Sequence, residues 1–188
     1  PSPASAMPTI TSIVHDDGEG GRMAAEYLLA RGHRRIGFVG DTPVPEFTVH
    51  TSNQKLDRFR QTLALAGVAL PDMYVRLASF GTATARQQAR ELLALPEPPT
   101  AIFASSDTQA IGVISAARER GMNVPDDLAV MGFDDIEIAE FIDLTTIRQQ
   151  LKESGRMAVE LLLPQLADNH CPAQQIDLPF ALIQRATA

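Results

Sequence analysis

Short apolar runs alternate along this chain with segments of helical spacing, and that order leaves few folds open. The runs are Thr11–His15, Ile36–Gly40, Val75–Ser79, Ala101–Ala104 and Leu128–Phe133. Between them, Gly20–Arg31 puts Ala24, Tyr27 and Leu28 on one face, and Asn53–Ala66 does the same with Leu56, Phe59 and Leu63. Thr84–Leu95 carries Ala85, Ala89, Leu92 and Leu93, and Asp107–Arg120 carries Ala110, Ile114 and Ala117. Apolar residues three and four apart mark amphipathic helices. Gly32, Gly67 and Gly121 stand where left-handed caps are wanted. Pro96 ends the third helix and Pro125 follows the fourth, which Ser106 or Asp107 caps at its start. Repeated β-α alternation predicts an α/β fold, a parallel sheet with right-handed crossovers and helices on both faces.

Beyond Asp135 the rhythm changes. Ile136–Ile142 reads as a short helix and Thr145–Arg148 as a short strand. Leu151–Leu166 reads as a helix with Leu151, Ala158, Leu161 and Leu162 inward. Gln175–Leu178 and Ala181–Gln184 are two final strands around Pro179.

Open parallel sheets bind ligands outside the carboxyl ends of their strands, so residues there are the candidates. Leu128–Phe133 reads as a strand buried on both faces, and Asp134 and Asp135 emerge at its carboxyl end. Such a pair can bind a metal, exchange protons or accept hydrogen bonds from sugar hydroxyls; its bland reading is a loop opening with a capping Asp. Asp134 is the candidate acceptor and Asp135 the structural member. In Ala104-Ser-Ser-Asp107, Ser106 is assigned to ligand and Asp107 to structure, with simple capping as the competing role. Lys55 opens a helix after the loop Thr42–Ser52 and can pair with a ligand oxygen or with Asp134, although a lone lysine is more often solvated. Phe80 follows a strand and can stack on a sugar or base face, although most Phe residues are core.

Other motifs carry less. Gly18-Glu-Gly-Gly21 lacks the lysine and hydroxyl of a phosphate loop and reads as close helix packing and a tight turn. His15-Asp16-Asp17 has no second His at metal-ligand spacing, since His33, His50 and His170 stand elsewhere; no metal or cofactor is expected. Gly32-His33-Arg34-Arg35 is a basic turn. There is no Gly-x-Ser-x-Gly elbow, and Cys171 sits in a loop before Pro172, so no enzyme is expected.

The 188 residues suffice for one domain or a divided one, with 45% hydrophobic and 21% charged content typical of a globular protein. A net charge of -7 makes this chain alone a poor binder of DNA or anionic membrane. One cysteine forms no internal disulfide, and no run approaches the roughly 20 apolar residues of a membrane span. Pro1–Pro8 looks like a loop, and neither a leader nor an initiator Met is seen; a cytoplasmic piece of a longer protein is expected.

Gly20–Gly40, Lys55–Phe59, Pro99–Asp107, Val124–Asp135 and Leu144–Gln149 together resemble the lactose/galactose-repressor family of bacterial transcription regulators. The match runs in order over nearly the whole chain. The resemblance implies a periplasmic-binding-protein-like fold of type I, two α/β subdomains joined by three crossovers with the effector in the cleft between them. It implies a remnant of the N-terminal subdomain over 1–16, a nearly complete C-terminal subdomain over 17–145, a return to the first over 146–170, and to the second over 171–188. The family's helix-turn-helix is not among these residues. Carried over residue by residue, its ligand contacts fall on His15, Asp16, Thr51, Lys55, Phe80, Ser106, Asp134 and Gln149. Three positions depart from the pattern: the family usually has Arg at Lys55, Asn at Ser106 and Gly at Arg58. The implied function is a small-molecule sensor, for a sugar or sugar-like effector. It reaches operator DNA only through a domain outside this chain and works as a homodimer, with no membrane partner. A periplasmic sugar-binding protein of a transport system is the alternative, and a small α/β enzyme ranks third.

Overall fold

The computed structural model describes residues 10–42, 51–167 and 172–188. The loop expected over residues 1–8, most of the loop 42–52, and Cys171 lie outside them. In chain order the elements begin β1 (Ser12–Val14), α1 (Asp17–Ala30), β2 (Ile36–Asp41), α2 (Thr51–Leu65), β3 (Val75–Ala78), α3 (Thr82–Leu93) and β4 (Ala101–Ala104). They continue α4 (Asp107–Glu119), β5 (Ala129–Met131), α5 (Glu137–Phe141), β6 (Thr146–Arg148), α6 (Leu151–Ala167), β7 (Gln175–Asp177) and β8 (Ala181–Ile183).

These elements fall into two compact units. The larger holds Asp17–Arg148 and Ala181–Ala188; the smaller holds the described parts of Pro1–Asp16 and Gln149–Phe180. The chain therefore passes from one unit to the other after Asp16, after Arg148 and after Phe180.

In the larger unit four parallel strands stand in the order β3-β2-β4-β5. Parallel bridges from Met131 to Thr145 and from Asp134 to Arg148 carry the pairing on toward β6, which pairs antiparallel with β8. Side chains alternate across a strand, and the two faces of this sheet separate accordingly. Phe38 of β2 and Phe103 of β4 meet Phe59 of α2 on one face, with ring centroids 5.7 Å apart between Phe38 and Phe103 and 5.2 Å between Phe59 and Phe103. Val39, Ile102, Ala104 and Val130 pack on the other against Ala89 and Leu92 of α3 and Val113 and Ala117 of α4. The apolar faces expected for these helices are buried, except that Tyr27 is half-buried and donates its hydroxyl to the Ala188 carbonyl at 2.6 Å.

Helix α1 begins at Asp17, three residues before the expected start, so Gly18, Gly20 and Gly21 lie inside the helix and form no turn. Their helix propensity is poor, and packing decides the matter. A Cβ on Gly20 would overlap the Phe133 ring, and one on Gly21 would overlap the backbone carbonyl of Lys55. Glycine at these positions is what lets α1 approach α2. Gly32, Gly67 and Gly121 have φ of +92°, +72° and +70°, as expected for left-handed caps. The short 3-10 turn Asp72–Tyr74 before β3 is not foreshadowed by the apolar pattern.

In the smaller unit β1 pairs parallel with β7, Ser12 opposite Gln175, and α6 packs on β1. The expected face of α6 is turned toward β1, with Ala158, Leu161 and Leu162 lining a cavity beside Ser12 and Ile13, but it is little buried: Leu161 is half-buried, while Leu151, Ala158 and Leu162 are exposed. Among the described residues this unit has a two-stranded sheet, too narrow to cover a helix of 17 residues.

The α1–α2 approach makes one substitution diagnostic. Gly21→Ala should cost about 1–3 kcal/mol of stability by overpacking against an unyielding carbonyl. Urea unfolding measures it, and a loss under about 0.5 kcal/mol would show that the helices separate freely.

Candidate functional site

The strand order of the larger unit reverses between β2 and β4, because β3 is added on one side of β2 and β4 on the other. Ligand crevices in open α/β sheets open at such a reversal, outside the carboxyl ends. Asp41 ends β2, Ser105 and Ser106 follow β4, Asp134 lies beyond β5 and Phe80 beyond β3. Thr51 and Lys55 lie in the first turns of α2, which follows β2. Parallel topology thus places Thr51, Lys55, Phe80, Ser106 and Asp134 along one sheet edge.

At the reversal the polar groups form a closed ring. The Asp41 backbone N–H donates to Ser52 Oγ at 2.9 Å, and Ser52 Oγ donates to Ser105 Oγ at 3.3 Å. Ser105 Oγ donates to Gln109 Oε1 at 2.7 Å, and Gln109 Nε2 returns to Asp41 Oδ1 at 2.8 Å. Ser106 caps α4, accepting from the Gln109 backbone N–H at 3.3 Å, and its hydroxyl also donates to Gln109 Oε1 at 3.2 Å. With two hydroxyls donating to Oε1, the amide nitrogen of Gln109 must face the Asp41 carboxylate. Burial raises the Asp41 carboxyl above its ordinary range, opposed by the nearby Lys55 charge and the Gln109 hydrogen bond.

Lys55 is buried. Its Nζ lies 3.0 Å from Asp17 Oδ1 and 4.1 Å from the centroid of the Phe133 ring. Carboxylate and aromatic face together offset the desolvation of the ammonium. The anticipated competitor for this residue was solvent; its observed neighbours are instead Asp17 and Phe133.

Asp107, assigned to structure, is fully buried and joins three segments. Its Oδ1 accepts from Thr146 Oγ1 at 2.6 Å, its Oδ2 from the Ile136 N–H at 2.8 Å, and its own N–H donates to the Phe133 carbonyl at 2.7 Å. Burial raises its carboxyl to about 6; the Thr146 and Ile136 hydrogen bonds oppose the rise, and the charges of Asp134 and Asp135 add to it.

Asp134 and Asp135 differ. Both have positive φ, 112° and 57°, a region that costs a non-glycine residue on the order of 1–3 kcal/mol. The Asp134 backbone is held there by its N–H, which donates to the Ile147 carbonyl at 2.8 Å. The nearly buried side chain of Asp135 receives Arg148 Nε at 2.6 Å and pairs with the Arg185 guanidinium at 2.8 Å. That makes Asp135 the anchor of the turn. Phe80 is 62% exposed, so it is not core, and Thr51 is exposed. The smaller unit carries His15, Asp16 and Gln149; the His15 ring stacks on Phe180 with centroids 5.4 Å apart. Among the described residues no group of three His, Cys, Asp or Glu stands together as a metal site, and no helix is long and apolar enough to cross a membrane.

Sequence reasoning passed over Asp41, Gln109 and Arg185, and weighed Asp17 only as part of a metal motif. Asp41 carried a usable signal, because it follows an apolar run directly, as Asp134 does. Arg185 carried none, since its pairing with Asp135 spans 50 positions.

Residues 25–188 match the family model described as a periplasmic binding protein-like domain. The chain is similar to the HTH-type transcriptional repressor CytR of Escherichia coli K12, 37% identical over 150 residues, covering 78% of this chain and 42% of the repressor. It thus spans less than half the length of that relative. A LacI-family regulatory protein from Chloroflexus aggregans superimposes with a TM-score of 0.83 at 33% identity, covering 98% of this chain and 66% of the other. A LacI family transcriptional regulator from Enterococcus faecium with bound ribose gives 0.82 at 27%, covering 94% and 65%.

Asp107 sets a pH dependence whose sign is fixed. A carboxyl raised from 3.8 to about 6 on folding favours the folded state below pH 4, and that contribution is lost as pH rises through 6. Between pH 4 and 7 the wild type should lose roughly 2 kcal/mol relative to Asp107→Asn. Urea unfolding of both proteins across that range measures the difference, and parallel profiles would show that Asp107 is charged at no cost.

Proposed function

The chain belongs to the periplasmic binding protein-like domain family, and we propose that it is the effector-sensing module of a LacI-family transcriptional regulator. The observation that carries this reading is Asp134, held at positive φ at the carboxyl edge of the sheet while Asp135 takes the structural ion pairs. A carboxylate kept in a costly backbone conformation by its neighbours is preorganised for a ligand.

The effector is a sugar or sugar-like molecule. Asp134 accepts its hydroxyl hydrogen bonds and Phe80 stacks on an apolar ring face. Thr51 and Ser106 add hydroxyls, and Lys55 supplies positive potential and a donor. His15, Asp16 and Gln149 are the contacts proposed for the smaller unit. The module has no catalytic role. Binding shifts the protein between states of different DNA affinity, and moving that balance from 1:99 to 99:1 takes about 5.5 kcal/mol of differential affinity. DNA is contacted by another part of the longer, cytoplasmic protein, which acts as a homodimer. A transport-type binding protein shares the fold; the similarity to CytR and to LacI-family regulators favours the regulator.

In the intact regulator, Asp134→Ala should abolish effector-dependent change in operator affinity while leaving the melting temperature within a few degrees. Fluorescence anisotropy on operator DNA, with and without sugar, reads this directly. An unchanged response would reduce Asp134 to a turn residue, and chemical conversion of the bound sugar would overturn the sensor reading.

A further inference from the structure

The ring at the sheet reversal does more than fill hydrogen bonds. Ser52, Ser105, Ser106 and Gln109 are all buried, and their donors run in one direction, ending on Asp41 Oδ1. The chain of hydroxyls and amide fixes this carboxylate before any ligand arrives. A structural aspartate in such a place would be completed by the protein. Here Oδ1 takes the Gln109 amide, and Oδ2 accepts no hydrogen bond among the described residues. Asp41 is half-buried, and burial already disfavours its charge. Lys55 is within electrostatic range, yet its ammonium makes its ion pair with Asp17. Among the described residues, the carboxylate thus keeps a vacant acceptor at the point where an open sheet receives ligands.

We propose that Asp41, held by Gln109, is a specificity-determining ligand contact that accepts a hydroxyl or ammonium donor and selects unphosphorylated sugars or amino sugars over sugar phosphates. This rests on the effector-sensing reading of the same edge. The selection follows from charge and from donor count. A phosphate brought to Asp41 meets a like charge with no donor on Oδ2 among the described residues to relieve it. A site that hydrogen-bonds one ligand group discriminates strongly against an analogue without it, because its own buried group is then left unpaired. Ser52 and Ser105 would act only through Gln109.

The test is calorimetric titration of the full-length protein with D-ribose, D-glucose, cellobiose, D-glucosamine and D-ribose 5-phosphate. At least one of the first four should bind, and D-ribose 5-phosphate should bind at least 10-fold more weakly than D-ribose. Asp41→Asn keeps an oxygen for Gln109 and so keeps the ring, but turns the vacant acceptor into a donor. It should weaken the best neutral or amine-bearing ligand by about 10- to 100-fold and narrow the gap to the phosphate, with the melting temperature little changed. Asp41→Glu retains the charge, displaces it by one methylene and should also lose affinity, which covers a failure of the Asn variant to fold. Undiminished affinity in these variants overturns the proposal and leaves the sensor reading standing. Tightest binding by the phosphate overturns it as well, and no binding by any of the five overturns both readings.

Discussion

The carboxyl edge of this sheet depends on one buried carboxylate, Asp107. It takes a hydroxyl from β6 and a main-chain N–H from the turn into α5, while its own N–H holds the last carbonyl of the β5 segment. The Thr146 hydroxyl and the Phe133 carbonyl would otherwise be polar atoms without a partner in an apolar interior, at a cost of about 1–3 kcal/mol apiece. Gly132 is part of the same arrangement, since a Cβ there would collide with Asp107 Oδ1. The turn bearing Asp134 and Asp135 is therefore fixed from behind, by a residue that touches neither side chain in a hydrogen bond. The positive φ angles of the two aspartates are tolerable only because this backbone is pinned at Phe133, Asp134 and Ile136.

The cations of the same region are largely committed to structure. Lys55 is held between Asp17 and Phe133, and Arg148 and Arg185 close on Asp135. Apart from the Lys55 ammonium, the groups proposed to face a ligand are hydroxyls and carboxylates. Glycine makes this possible on the α1 side: without the close approach at Gly20 and Gly21, neither the Phe133 ring nor the α2 backbone would stand where Lys55 is buried. Helix packing and site electrostatics are one problem here, solved by the same residues.

The fold was legible because its signals are local. Apolar runs such as Ala101–Ala104 sit wholly inside the sheet, and Phe59 and Leu63 face the core at the spacing a helix requires. Where reading went astray, a longer-range term decided. Gly18–Gly21 read as close helix packing and a turn; the packing is there, but the turn gives way to helix because Phe133, more than 100 positions later, packs on Gly20 and the Lys55 backbone on Gly21. Helix α6 shows an apolar stripe that, among the described residues, has a two-stranded sheet to meet. For the site, strand-end position pointed to Ser106 and Asp134 as candidates; Ser106 is seen as the cap of α4, and Asp107, assigned to structure, is the buried anchor. The burial of Lys55 and the ring through Gln109 follow from tertiary approach and leave no periodicity to find. Asp41 was visible by the same rule as Asp134 and was hidden only by the polar loop that follows it.

The Arg185–Asp135 pair has a further implication for how the molecule is made. Arg185 comes from Ala181–Ala188, which rejoins the larger unit after the chain has traversed the smaller one. Contacts of long sequence separation form late, because loop closure must precede them. On a ribosome, the Asp134–Asp135 turn would emerge well before the guanidinium that neutralises it, with Arg148 as its interim partner. The larger unit can collapse around its phenylalanines early, but its carboxyl edge reaches final charge balance only after Arg185 has been made. A chain made only as far as β6 would then carry a strained, underneutralised turn, and the carboxyl edge of the sheet settles late in the assembly of the larger unit.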